Sequence, residues 1–142
     1  MKIRAKSVLL VEDNDFDVKR VTRAFAKLSD MRQIVRARDG VEALDIIRGT
    51  AETRPPETPF VIVLDLNMPR MGGIEFLETL RASGSKSYPQ VFVVTTSDYH
   101  VDVENAYQRG VSGYFVKPET AEEMITILEK ASQFWDLCEI PK

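Results

Sequence analysis

The stretch FVIVLDLNMPRMGG at residues 60–73 decides how the rest of the chain is read. Its first five residues are apolar, β-branched or aromatic, and too few for a helix, so they read as a strand covered on both faces. Asp65 then breaks the apolar run, and Gly72-Gly73 marks a turn. Ile74, Leu77 and Leu80, with Phe76, follow at helical spacing and give one apolar stripe. Strand, polar loop and amphipathic helix thus succeed one another within about twenty residues.

The same unit recurs on both sides. Strand-like runs stand at SVLLV (7–11), QIVRA (33–37), QVFVV (90–94) and GYFV (113–116). Val18, Val21, Phe25 and Leu28 make one helical stripe, and Val41, Ala43, Leu44 and Ile47 make another after Asp39-Gly40. Residues 101–109 form a weaker, more polar helix. Residues 121–135 form a stronger one, opened by a Thr120/Glu123 capping box and carrying Met124, Ile125, Leu128 and Ala131 on its apolar face. Pro55, Pro56 and Pro59 keep 49–59 irregular. Five strand–helix units imply an α/β fold, a doubly wound parallel sheet joined by right-handed crossovers. The common five-stranded version is the flavodoxin-like (βα)5 order 2-1-3-4-5.

With 142 residues the chain suits one domain, which buries roughly 68–70% of its unfolded surface without disulfide or structural metal. Nineteen basic against 22 acidic residues leave a net charge of −3, which argues against a nucleic-acid partner. Lys2, Arg4 and Lys6 read as a solvated basic lead. The single cysteine, Cys138, cannot form an intrachain disulfide, and no membrane span or signal peptide can be built from Val8–Val11. A cytoplasmic location is expected.

The polar residues that interrupt the pattern follow strand ends: Glu12 and Asp13 after the first, Asp65 after the third, Thr95 after the fourth, Lys117 after the fifth. In the order 2-1-3-4-5 these strands are neighbours, so the side chains gather at the switch point where such sheets bind ligands. Singly, each has a bland explanation as a loop residue or helix cap. Together they do not. Carboxylates about 4 Å apart repel by about 4 kcal/mol per pair at an effective dielectric near 20. Oxygen ligands without imidazole or thiolate select Mg²⁺ or Mn²⁺ to relieve this. A metal beside one carboxylate, with a lysine and a hydroxyl opposite, outlines phosphoryl transfer, with Asp65 as the nucleophile. Asn14, Asp15 and Asp17 read as solvated or helix-capping residues.

At this point the sequence resembles the receiver domains of two-component response regulators, through VLLVEDN (8–14), VLDLNMPRMGG (63–73), VVTTS (93–97) and GYFVKP (113–118). The likeness runs from about residue 6 to 133, leaving a short tail at 134–142 and no output domain. It implies that Asp65 accepts phosphate from a sensor histidine kinase. It implies that Glu12, Asp13 and the Asn67 main-chain carbonyl hold Mg²⁺ beside Asp65, and that Lys117 and Thr95 contact the phosphoryl group. It implies further that Thr95 and Tyr114 are the switch pair and that protein partners read residues 101–133. The EDN-x-x-D opening and Phe134-Trp135 resemble single-domain regulators that work with cyanobacterial and bacterial phytochromes. Those suggest a homodimer through the fourth and fifth helices, with Phe134, Trp135 and Leu137 as anchors; alternatively these residues close the core.

Other classes fit less well. A haloacid-dehalogenase-type phosphohydrolase needs a general acid two residues after its nucleophile, where Asn67 stands. A flavin carrier lacks a phosphate loop after the first strand. A hydrolase would have to use the sole histidine, His100, which reads as a solvated residue. A receiver-like module that only binds proteins would not need all five site residues.

Overall fold

The computed structural model describes residues 4–83 and 89–140. Lys2 of the basic lead and the last two residues of the tail lie outside them. The elements alternate along the chain. They run β1 (Ser7–Val11), α1 (Asp15–Lys27), β2 (Gln33–Ala37), α2 (Gly40–Arg48), β3 (Phe60–Leu64), α3 (Gly73–Ala82), β4 (Val91–Thr95), α4 (His100–Gln108), β5 (Gly113–Val116) and α5 (Ala121–Leu137). All four strand pairings are parallel and the order is β2-β1-β3-β4-β5, as the alternation implied.

Strand periodicity of two sends alternate side chains to opposite faces and builds two cores. Val8 and Leu10 of β1, Val61 and Val63 of β3, and Phe92 and Val94 of β4 meet α1 and α5 through Val21, Phe25, Met124, Leu128 and Trp135. Leu9, Val11, Ile62, Leu64, Val91 and Val93 face α2, α3 and α4 through Leu44, Ile46, Phe76, Leu77 and Ala106. β1 and β4 are buried along their whole length, whereas edge strands β2 and β5 are partly exposed.

The helix ends follow their sequence signals. Asn14 caps α1 by accepting from the Asp17 N–H at 3.0 Å, and Asp39 caps α2 by accepting from Glu42 at 2.9 Å. Thr120 caps α5, accepting from the Glu123 N–H at 3.1 Å. Gly49 ends α2 at φ 76°, the left-handed conformation that favours glycine. Gly73 answers a different demand, since a Cβ there would come within 2.6 Å of the Asp65 carbonyl oxygen. This close approach seats α3 against the loop that carries Asp65.

Three elements differ in their bounds from expectation, α4 running His100–Gln108 where 101–109 was expected. The fourth strand includes Thr95 and omits Gln90, because Thr95 pairs with Val116 and its carbonyl accepts the Lys117 N–H at 2.7 Å. The last helix continues to Leu137, two residues past the expected end at 135. Its last turn is fixed by Trp135, fully buried against Phe25 and Phe92 at ring separations of 6.2 and 5.4 Å.

Candidate functional site

The carboxyl end of β1 is locked between those of β2 and β3 before any side chain is considered. The Glu12 N–H donates to the Ala37 carbonyl at 2.9 Å, and the Asp65 N–H donates to the Val11 carbonyl at 2.9 Å. The chain must leave the sheet just beyond these rungs, so the first polar side chains after each strand share one crevice. Among the described residues, Glu12, Asp13 and Asp65 form a group whose ligand oxygens lie within 4.8 Å of one another. Glu12 and Asp65 are only 3% and 5% exposed, while Asp13 faces solvent.

Lys117 enters from the end of β5. Its Nζ lies 2.7 Å from Glu12 Oε1, 2.8 Å from Asp17 Oδ2 and 3.6 Å from Asp65 Oδ2. Burial alone would disfavour the ammonium, but the bonds to Asp17 and Glu12 and the Asp65 charge push its pKa up to about 12. One cation does not balance this many carboxylates. Burial, reinforced by the Asp65 charge, raises Glu12 to about 7 despite the Lys117 hydrogen bond. Excess buried negative charge on oxygen donors alone is the environment a hard divalent cation suits.

Thr95 is fully buried, and its Oγ1 has no hydrogen-bond partner among the described residues. A buried hydroxyl left unpaired costs about 1–3 kcal/mol, so one that persists invites a functional explanation. Tyr114 pairs with Val93 and Val116 with Thr95, which puts the Thr95 and Tyr114 side chains on the same face of the sheet, two residues apart along the strands. The Tyr114 hydroxyl donates to the Ser97 carbonyl at 2.8 Å, tying β5 to the β4–α4 loop. Burial raises its pKa. Asn67 lies in the loop after Asp65, its N–H reaching Asp65 Oδ1 at 3.5 Å.

Two contributors were not expected at the site: Arg36 carried no sequence signal, and Asp17, the last residue of the EDN-x-x-D opening, read only as a solvated or capping residue. Arg36 on β2 donates to the Glu12 and Asp13 carbonyls at 2.9 and 3.2 Å and pairs with Asp15 at 2.8 Å, holding the backbone of the acidic pair. Asp17 is neither solvated nor the cap of α1. It pairs with Lys117 and, at 3.4 Å, with Arg20. The cap is Asn14, which leaves the Asp17 side chain, one turn into α1, free to reach Lys117.

The anchors expected on the last helix divide. Trp135 is wholly buried and cannot serve a docking surface, whereas Phe134 and Leu137 are 48% and 75% exposed. His100 is exposed at the start of α4 and sits 2.8 Å from Glu104, in keeping with a solvated residue.

A family model described as the response regulator receiver domain matches residues 8–129. The probable methanogenesis regulatory protein FilR2 of Methanothrix harundinacea is 34% identical over 128 residues, covering 90% of this chain and 82% of that protein. The phosphorylated cyanobacterial phytochrome response regulator RcpA has a crystal structure similar to this one. Its TM-score is 0.84 at 29% identity, with 97% of this chain and 99% of that chain covered. The Mn²⁺-bound form of response regulator Rcp1, a protein of Synechocystis, gives 0.82 at 27% identity, covering 96% and 99%.

Proposed function

The chain belongs to the response regulator receiver family, and from that premise we propose that it takes a phosphoryl group from the phosphohistidine of a sensor kinase onto Asp65, with Mg²⁺ as cofactor. The observation that carries this reading is the meeting of Asp65 with Glu12, Asp13 and the Lys117 ammonium in one crevice. Glu12, Asp13, Asp65 and the Asn67 carbonyl would hold the ion, which supplies charge neutralisation at the phosphoryl oxygens.

The protein's own part is positioning. An Asp65 carboxylate oxygen attacks phosphorus, the O–P bond forms as the N–P bond of phosphohistidine breaks, and the imidazole leaves. Lys117 places a compact positive charge beside the incoming group. Thr95 offers the hydroxyl that has no other partner among the described residues, and a shift of Thr95 toward the phosphoryl group vacates space toward which the Tyr114 ring can turn. Tyr114 would then surrender its bond to Ser97 and alter the β4–α4 loop, a two-state response to one new dianionic group.

In this reading the protein is a signalling phosphoacceptor, one receiver domain acting in the cytoplasm through protein partners, and it turns over no separate substrate. Among the described residues no helix is long and apolar enough to cross a membrane. The similarity to RcpA supports a phytochrome-type kinase as donor. Exposed Tyr107, Val116, Phe134 and Leu137 on α4, β5 and α5 support a homodimer through that face. The test is Mg²⁺-dependent labelling by acetyl phosphate, expected for the wild type and absent in Asp65→Asn. Undiminished labelling of the variant would refute the assignment.

A further inference from the structure

We propose that Asp17 is a positioning residue that restrains Lys117 in the unphosphorylated state and competes with the phosphoryl group for it. This rests on the phosphoacceptor reading of Asp65 and adds a residue to it. Lys117 Nζ sits within hydrogen-bond distance of Glu12 and Asp17, at 2.7 and 2.8 Å, but stands 3.6 Å from Asp65, the group beside which it must act. An ammonium has three donors, and here two are committed to neighbours other than Asp65. Any cation that ligates Glu12 weakens the first of these, which leaves Asp17 as the contact that draws Lys117 away from an incoming anion.

Asp17 also has a second partner in waiting. Arg20 lies 3.4 Å from its Oδ1 and donates to the Pro118 carbonyl at 2.6 Å, directly after Lys117 in the chain. When Lys117 turns to the phosphoryl oxygens, the Asp17 carboxylate keeps a guanidinium beside it. Its charge is therefore never stranded, and the exchange costs little. Release of Lys117 is thereby coupled to the contact between α1 and the β5–α5 loop.

The probe is beryllofluoride, titrated at saturating Mg²⁺ and followed by NMR of the Asp65 loop. Asp17→Asn keeps the shape and removes the charge, so it is expected to bind beryllofluoride about three- to tenfold more tightly. Asp17→Glu, which restores the carboxylate, is expected to return the affinity to within about twofold of wild type. A residue that merely supports the fold would weaken binding or leave it unchanged when replaced, and either result in Asp17→Asn overturns the proposal. Wild-type protein that binds no beryllofluoride would instead overturn the phosphoacceptor reading beneath it.

Discussion

Replacing Asp65 by Asn should make the metal-free protein more stable, although it removes the group on which its chemistry depends. The Asp65 oxygens lie within 4.8 Å of those of Glu12 and Asp13. At an effective dielectric near 20 each repulsion at that separation is about 3.5 kcal/mol. Against them stands Lys117 at 3.6 Å, worth about 4.6 kcal/mol on the same scale. Asp13 is exposed, so solvent screens its share. The Asp65 carboxylate nevertheless remains a net burden of about 1–2 kcal/mol, to which the desolvation of a nearly buried charge adds. A chain of this length gains roughly 3–4 °C in Tm per kcal/mol. At pH 8, where Glu12 is mostly ionised, Asp65→Asn in EDTA should therefore melt about 3–8 °C above wild type by calorimetry. Mg²⁺ at a hundredfold excess over its dissociation constant should add about 2.7 kcal/mol to wild type and much less to the variant, closing or reversing the gap. A variant that melts lower in EDTA, or gains as much from Mg²⁺ as wild type, would refute the crowding of charge on which the site is built.

Thr95→Val removes an unpaired buried hydroxyl while keeping its shape, so the unphosphorylated protein should gain about 1 kcal/mol, and beryllofluoride affinity measured by NMR should fall. Arg32→Ala removes ion pairs to Asp30 at 2.6 Å and Asp136 at 2.8 Å and a guanidinium 5.2 Å from the Trp135 ring, and should cost about 1–3 kcal/mol in urea unfolding at pH 7. Burial works against the Asp30 carboxylate, but its bonds to Arg32 hold its pKa below the usual range. A depressed carboxylate stabilises above its unfolded value of about 3.9 and loses that contribution as pH falls through the folded one, so the gap between Arg32→Ala and wild type should narrow below about pH 4.

The strand–helix alternation and the placement of Glu12, Asp13, Asp65, Thr95 and Lys117 at strand ends were legible in the chain because both follow from local pattern, whereas the sheet order was expected as the common arrangement of such an alternation. Nearly continuous apolar runs of five residues, too short for a helix and rich in β-branched residues, read as covered strands, and the first polar residue after each emerges at the sheet's carboxyl edge. Directions of individual side chains are not local. Trp135 reads equally as a surface anchor or a core residue until α5 is laid on Phe25 and Phe92, and only that packing carries the helix on to Leu137. The orphaned Thr95 hydroxyl is likewise invisible in a sequence, since lack of a partner is a property of surroundings.

What the sequence determined by itself is the fold class, the crevice and the residue types lining it, since periodicity and turn chemistry act over a few residues. What only the tertiary structure decided is which of those charges touch. Asp17 and Lys117 are 100 residues apart, and Arg36 reaches the acidic pair from a neighbouring strand. Such contacts depend on strand register, helix rotation and rotamer, which are fixed together when the two cores close, and no pattern within either segment encodes them.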